Sequence, residues 1–420
     1  MNEILLHPKK DVLGHILLPS SKSYAQRALA LAGLSQEKVV IHRLVESDDC
    51  IAAQNIIQAL GAEFTRENDS LLLHKGIDFK TSEELEINCG ESGLSTRLFS
   101  AFSLLFDQSF TLNGEGSIAQ RTMEMVIEGL EQFGKKIKSN QSKLPLVISG
   151  KVNQHQVEID GSISSQFLTG LITVAPFLNF DTEITVRNLK SKPYISMTID
   201  LLNHFGLTCE NKKFEKFYIQ GNQKVSEEIE YSVEGDWSAA SFMIVAGAIG
   251  GRMKLEGLKM NTHQGDVAIL EAVKQAGARV KWENDRLIIE KDKLQAIHFD
   301  ATECPDLFPP LVVLAAYVNG KSTFKGVHRL KHKESDRAIT LQQECKKVGV
   351  IIEIIGDEMI VHGRGGGKVN EPIVFSSHND HRIAMAMSLF SIGAHSPIKI
   401  TGAKAIDKSY PDFYKDFLTV

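Results

Sequence analysis

Long apolar runs, paired cysteines and an excess of positive charge are all missing from this 420-residue chain. Its longest apolar stretches, such as the one after Asp306, fall short of the ~18 residues that a membrane-spanning helix needs, so no membrane partner is expected. The opening residues, MNEILLHPKKDVLGHILLPSS, show no charged leader, apolar run and small-residue cleavage site, so secretion is not expected either. Cysteine is scarce: Cys50, Cys89, Cys209, Cys304 and Cys345, with no Cys-x-x-Cys pair. That odd set argues against a disulfide framework and fits free thiols in a reducing, cytoplasmic setting. The formal net charge is −5, so no overall basic excess points to nucleic acid. Any anion binding must come from cations gathered locally.

What is present is an ordinary globular composition, 43% hydrophobic and 24% charged, which argues against extended disorder. A single core rarely grows to 420 residues, so two domains are expected. A repeat organises the chain. An amphipathic helix, a glycine and a strand recur at IIQALGAEF (Gly61), LEQFGKKI (Gly134), LLNHFGLTC (Gly206), VKQAGARV (Gly277) and CKKVGVII (Gly349), with spacings of 73, 72, 71 and 72. Each glycine falls where a helix stops and a left-handed residue is needed. A second signal, a polar cluster opening an apolar helix, recurs near Lys22, Ser92, Ser164, Asp236, Asp306 and Asp380, at intervals of 70, 72, 72, 70 and 74. Six copies of one α/β unit follow. The sixth ends on YPDFYKDFLTV with no strand after it, and EILLH at residues 3–7 can supply that strand. A boundary after three units gives one domain of residues 20–235 and a second joining 1–19 to 236–420, with hinges near Pro19 and Gly235. A solenoid is disfavoured, because solenoid units usually run to about 20–45 residues.

Helix N-termini carry unsatisfied N–H groups and a partial positive charge, and they bind phosphate and carboxylate readily. All six polar clusters sit at such termini, and they include Lys22, Arg27, Arg97 and Arg382. Ser92, Ser164 and Asp236 also read as helix caps. Capping alone does not explain six clusters in phase with cations at several helix mouths. Two anion-binding faces, one per domain, are expected to repel without ligand and to draw together on anionic substrates.

These residues resemble a known family. PSSKSYAQRAL, DGSISSQFLTGLI, LKSKPYISMT, HRLKHKESDR, NDHRIAMA and KSYPDFY are similar to signatures of the EPSP synthase family, in the family's order from residue 19 to 414. The resemblance implies a two-domain, inside-out α/β barrel of six βαβαββ repeats whose helix N-termini face an interdomain cleft. It implies transfer of the enolpyruvyl group of phosphoenolpyruvate to shikimate 3-phosphate, with no metal or organic cofactor, in a monomer. By position, Lys22, Ser23, Arg27, Ser164, Ser165, Gln166, Ser191, Tyr194, Asp306 and Lys333 would hold shikimate 3-phosphate. Lys22, Gly93, Arg121, Gln166, Arg337, Arg382 and Lys408 would hold phosphoenolpyruvate. Asp306, Glu334 and Lys22 would move protons, Asp306 as base and Glu334, assisted by Lys22, as acid. The residue types suit the substrates: guanidinium forks match phosphate and carboxylate, and lysines add point charge.

The chain departs from the family's Asn-Ala/Ser-Gly-Thr segment. Glu91 stands for the Asn and Leu94 for the Thr, and Thr122 follows Arg121 where Pro is usual. Loss of a hydroxyl at Leu94 is expected to alter affinity for phosphoenolpyruvate or for glyphosate, the herbicide that competes for this pocket in the family. HGRGGGK at 362–368 lacks phosphate-loop spacing and reads as a solvent hairpin or loop. His378 and His381 flank Asp380 without a third ligand, so His381 reads as a site-lining or capping residue and no metal is expected. Two rivals remain open: the sister enzyme acting on UDP-N-acetylglucosamine, whose loop cysteine has no counterpart in EGSIAQRTM, and a non-catalytic anion binder, which would not need both Asp306 and Glu334.

Overall fold

The apolar residues sort into two cores. One compact unit is Lys22–Val233, and the other joins Met1–Ser21 to Glu234–Val420. The computed structural model describes residues 2–162, 164–331, 333–366 and 369–420. The first unit is inserted in the second, so they are termed the inserted and the split unit.

The helices of the inserted unit are Lys22–Leu34 (α1), Asp48–Ala59 (α2), Gly93–Ser100 (α3), Glu124–Gln132 (α4), Gln166–Val174 (α5) and Lys192–His204 (α6). Those of the split unit are Trp237–Gly250 (α7), Ile269–Gln275 (α8), Phe308–Ala316 (α9), Arg337–Lys347 (α10), His381–Ser388 (α11) and Phe413–Thr419 (α12). Odd and even helices differ in kind. Every residue of α7, α9 and α11 is buried. In α1, α3 and α5 only Lys22, Ser23, Gly93 and Gln166 are not buried. A helix that is apolar all round belongs inside a core. The even helices bury one face only, as their amphipathic sequences require.

Each repeat forms one sheet. In the second, Leu85–Asn88 pairs in parallel with Phe110–Asn113, and α3 makes the crossover. Lys143–Ser149 then pairs antiparallel with both Phe110–Asn113 and Lys136–Asn140. Among the described residues five sheets have four strands and the sixth has three. In that sixth sheet Glu3–Leu6 pairs antiparallel with Ile398–Thr401, the place left empty by the chain's last repeat. At both crossings the last strand before the chain leaves a unit pairs within that unit. Val12–Leu17 joins the split unit's Gly251–Glu256 before the chain enters α1, and Ile229–Ser232 joins the inserted unit's Val39–His42 before it enters α7.

Gly61, Gly134, Gly206, Gly277 and Gly349 follow the even helices with φ between 71° and 98°, which a side chain adopts only under strain. The glycine run near 362–368, expected as a solvent hairpin or loop, begins inside a hairpin strand, and Gly365 and Gly366 follow it outside any strand. His362–Arg364 ends the strand Glu358–Arg364, and a Cβ on Gly363 would lie 2.3 Å from the carbonyls of Ala315 and Val318. Gly367 and Lys368 lie outside the described residues. No helix among the described residues is long and apolar enough to cross a membrane.

Candidate active site

The N-terminal turns of the inserted unit's core helices are tied to one another. Gln26, one turn into α1, accepts through Oε1 from Ser92 Oγ at 3.0 Å and Ser95 Oγ at 2.8 Å, at the start of α3. Ser92 Oγ in turn caps α3 by accepting from Ser95 N at 3.2 Å. Arg97 Nη1 donates to Gln166 Oε1 at 3.1 Å, the first residue of α5, and to the Gly93 carbonyl at 3.2 Å. A Cβ on Gly93 would stand 3.2 Å from Arg97 Nη1 and 3.3 Å from Arg121 Nη1. Glycine therefore lets two guanidiniums approach one helix mouth. Arg121 donates through Nη2 to Ser117 Oγ at 3.3 Å, while its buried Nε has no partner among the described residues. Glu91 lies against this loop, accepting from Ser117 N at 3.5 Å.

Lys22 opens α1, with Nζ 2.9 Å from Asp49 on α2. Ser164 Oγ accepts from Gln166 N at 3.2 Å, and buried Ser165 takes the N-cap position of α5 without a side-chain cap bond. Ser191 precedes α6 in a left-handed conformation, φ 56°, and Tyr194 lies in the first turn. Arg27 differs from the expected ligand-facing role. It is 1% exposed, and its donors go to Thr198 Oγ1 (3.0 Å), the Ser23 carbonyl (2.7 Å), Thr169 Oγ1 and the Tyr194 carbonyl (both 3.3 Å). Burial lowers its pKa to about 10. It braces α1 against α5 and α6 and adds positive charge behind the helix mouths. Leu94, expected to leave a hydroxyl missing from a pocket, is 7% exposed and belongs to the apolar core.

The split unit gathers charges of both signs. Asp306, in the turn before α9, has Oδ1 2.7 Å from Arg337 Nη1 and 3.2 Å from Lys333 Nζ, and Oδ2 3.2 Å from Arg382 Nη2. Burial alone would raise its carboxyl, but Arg382, Lys333 and Arg337 outweigh that and hold it well below the usual carboxylate range. Arg337 is 1% exposed and also meets Glu334 Oε2 at 2.5 Å and Asp380 Oδ2 at 2.7 Å. Burial disfavours its charge, yet Asp380, Glu334 and Asp306 raise its pKa on balance. Burial likewise lowers Lys333, which the neighbouring Asp306 only partly offsets. Asp380 caps α11 by accepting from Arg382 N at 2.9 Å. Lys408 Nζ donates to the Asn379 carbonyl at 2.8 Å. The sequence suggested a cationic face here. Instead Lys333, Arg337 and Arg382 meet Asp306, Glu334 and Asp380, so this cluster is close to self-neutral.

The family model for EPSP synthase (3-phosphoshikimate 1-carboxyvinyltransferase) matches residues 6–417. The chain belongs to the EPSP synthase family. It is 38% identical to the 3-phosphoshikimate 1-carboxyvinyltransferase of Clostridium novyi, over 99% of this chain and 97% of that one. It is 34% identical to the Clostridium perfringens protein of the same name, over 99% and 98%. Its fold matches a solved EPSP synthase from Acinetobacter baumannii with TM-score 0.81, covering 99% of this chain and 98% of that one at 23% identity.

Among the residues expected from the resemblance to the EPSP synthase family, the structure brings Gly93, Arg121 and Gln166 to neighbouring helix mouths. It brings Asp306, Lys333, Glu334, Arg337 and Arg382 into one ion-pair cluster. Sequence reasoning missed Asp49, which pairs with Lys22, and Gln26, which joins α1 to α3. It noted Asp380 only as the start of a helix, although this residue is wholly buried and binds Arg337. The available signal was position: Asp380 opens the sixth cluster, where Asp236 opens the fourth, and both side chains cap their helices.

Proposed function

We propose that this chain transfers the enolpyruvyl group of phosphoenolpyruvate to the 5-hydroxyl of shikimate 3-phosphate, giving 5-enolpyruvylshikimate 3-phosphate and phosphate. The observation that carries the chemistry is Asp306, a carboxylate with three cations within 3.2 Å. The hydroxyl oxygen adds to C2 of phosphoenolpyruvate while C3 gains a proton. The C2–O bond to phosphate then breaks, and C3 loses a proton to restore the double bond.

Lys22, Ser23, Ser164, Ser165, Gln166, Ser191 and Tyr194 are the proposed contacts for shikimate 3-phosphate, with Arg27 supporting them from behind. Gly93 and Arg121, with Arg337, Arg382 and Lys408, are proposed for phosphoenolpyruvate. Asp306 is the proposed base. Its three cations make it a weak one. Substrate anions that claim Arg337, Arg382 and Lys333 reduce that stabilisation and restore basicity, because a carboxylate's pKa follows its nearest charges. Glu334 can act as acid only after its contact with Arg337 opens, with Lys22 as its proposed assistant. The proposed state is a cytoplasmic monomer.

Phosphate release from phosphoenolpyruvate in chelated buffer tests the reading. Release that requires shikimate 3-phosphate is expected. Release only with UDP-N-acetylglucosamine, or with neither acceptor, overturns it.

A further inference from the structure

Glu344 stands on α10, two turns beyond Arg337, and its side chain is 3% exposed. Three groups use its carboxylate. Oε1 lies 2.8 Å from His378 Nε2, and Oε2 accepts from Ser376 N at 3.0 Å and meets Lys347 Nζ at 2.6 Å. Lys347 Nζ also donates to the Val374 carbonyl at 3.1 Å. The strand Ile373–Ser376 and the turn after it are therefore fastened to the helix that Arg337 opens.

That turn is unusual. His378 and Asn379 are consecutive left-handed residues, φ 50° and 56°, and Asp380 N closes the turn on the Ser377 carbonyl at 2.9 Å. Two such residues make the tight reversal of a primed turn. The reversal presents the Asn379 carbonyl to Lys408 Nζ and sets Asp380 to cap α11 at Arg382. Whatever holds His378 thus fixes three groups at once: Lys408 through a carbonyl, Arg382 through a helix start, and Arg337 through Asp380.

We infer that Glu344 and His378 form a positioning clamp that sets Lys408 and Arg382 against Arg337 and so governs affinity for phosphoenolpyruvate. The inference rests on the function proposed above. Neither residue carries protons or touches substrate in this account. The clamp acts by holding a strained turn in place.

The test compares His378→Asn with His378→Gln. Asparagine accepts the left-handed backbone but is too short to reach Glu344. Glutamine keeps an N–H donor within reach. His378→Asn is expected to raise KM for phosphoenolpyruvate by about tenfold, the factor for one lost hydrogen bond to a charged group. KM for shikimate 3-phosphate and kcat should stay within about twofold, and His378→Gln should recover much of the loss. An unchanged KM for phosphoenolpyruvate overturns the clamp, as does an equal rise for both substrates, which marks general loosening. Amide exchange over residues 377–384 is a readout independent of turnover: it should quicken in His378→Asn, and unchanged exchange overturns the inference. A wild-type protein that fails to turn over refutes the proposed function, and the clamp is then judged on exchange alone.

Discussion

Asp306 concentrates the electrostatics of the split unit in one side chain, and it is the proposed base. Its folded-state pKa is depressed, so it contributes stability above the ordinary Asp range near 4, and that contribution is lost as pH falls through the lowered value. Asp306→Asn leaves Arg337, Arg382 and Lys333 short of an anion, which should cost about 3 kcal/mol near neutrality. The difference from wild type should shrink below pH ~4, as urea unfolding across pH would show. The same variant should lose about 10²–10⁴ in kcat if the residue is the base, while phosphoenolpyruvate binds no more weakly, because the freed cations accept its charges. Weakened binding with full kcat would contradict both roles. Leu94 makes an opposite case. Its burial predicts that Leu94→Thr lowers stability by about 2 kcal/mol through lost packing and a buried hydroxyl. KM for phosphoenolpyruvate should change less than twofold. A large change in KM at constant stability would return Leu94 to the pocket.

Among elements, the odd helices of the inserted unit show where that unit can receive an anion. They are buried along their length and reach solvent only at their first turns, where Lys22, Ser23, Gly93 and Gln166 stand. Unsatisfied N–H groups at those turns favour anions. Ser92 fixes the register of two of these turns by capping α3 and donating to Gln26. Ser92→Ala should therefore cost about 1 kcal/mol, the usual worth of a cap, and Ser92→Thr should restore it in chemical denaturation. Equal stability of Ser92→Ala and wild type would show that Ser95 alone holds Gln26.

The whole molecule contains two cores, each built from three copies of one unit and each with its own charge character. The inserted unit presents Arg97 and Arg121 at its helix mouths, whereas the split unit balances its cations with its own carboxylates. Shikimate 3-phosphate at 100 times its Kd should stabilise the protein by about 2.7 kcal/mol. Amide exchange should slow first in the opening turns of α1, α5 and α6. Protection that appears first in the split unit would reverse the proposed assignment of the two substrates.

The sequence alone determined the repeat, because a helix must stop at a left-handed glycine and a buried helix must be apolar on every side. Gly61, Gly134, Gly206, Gly277 and Gly349 fall in phase for that reason, and so do the polar openings of the core helices. It also pointed to a strand at residues 3–7 to complete the final repeat, of which the structure pairs Glu3–Leu6. Only the tertiary structure decided which cations are already taken. Charge pairing depends on distances of a few ångströms between residues far apart in the chain. So Arg27 proved to be a brace bonded to Thr198 and Thr169, and Arg337 proved to be held by Asp306, Glu334 and Asp380.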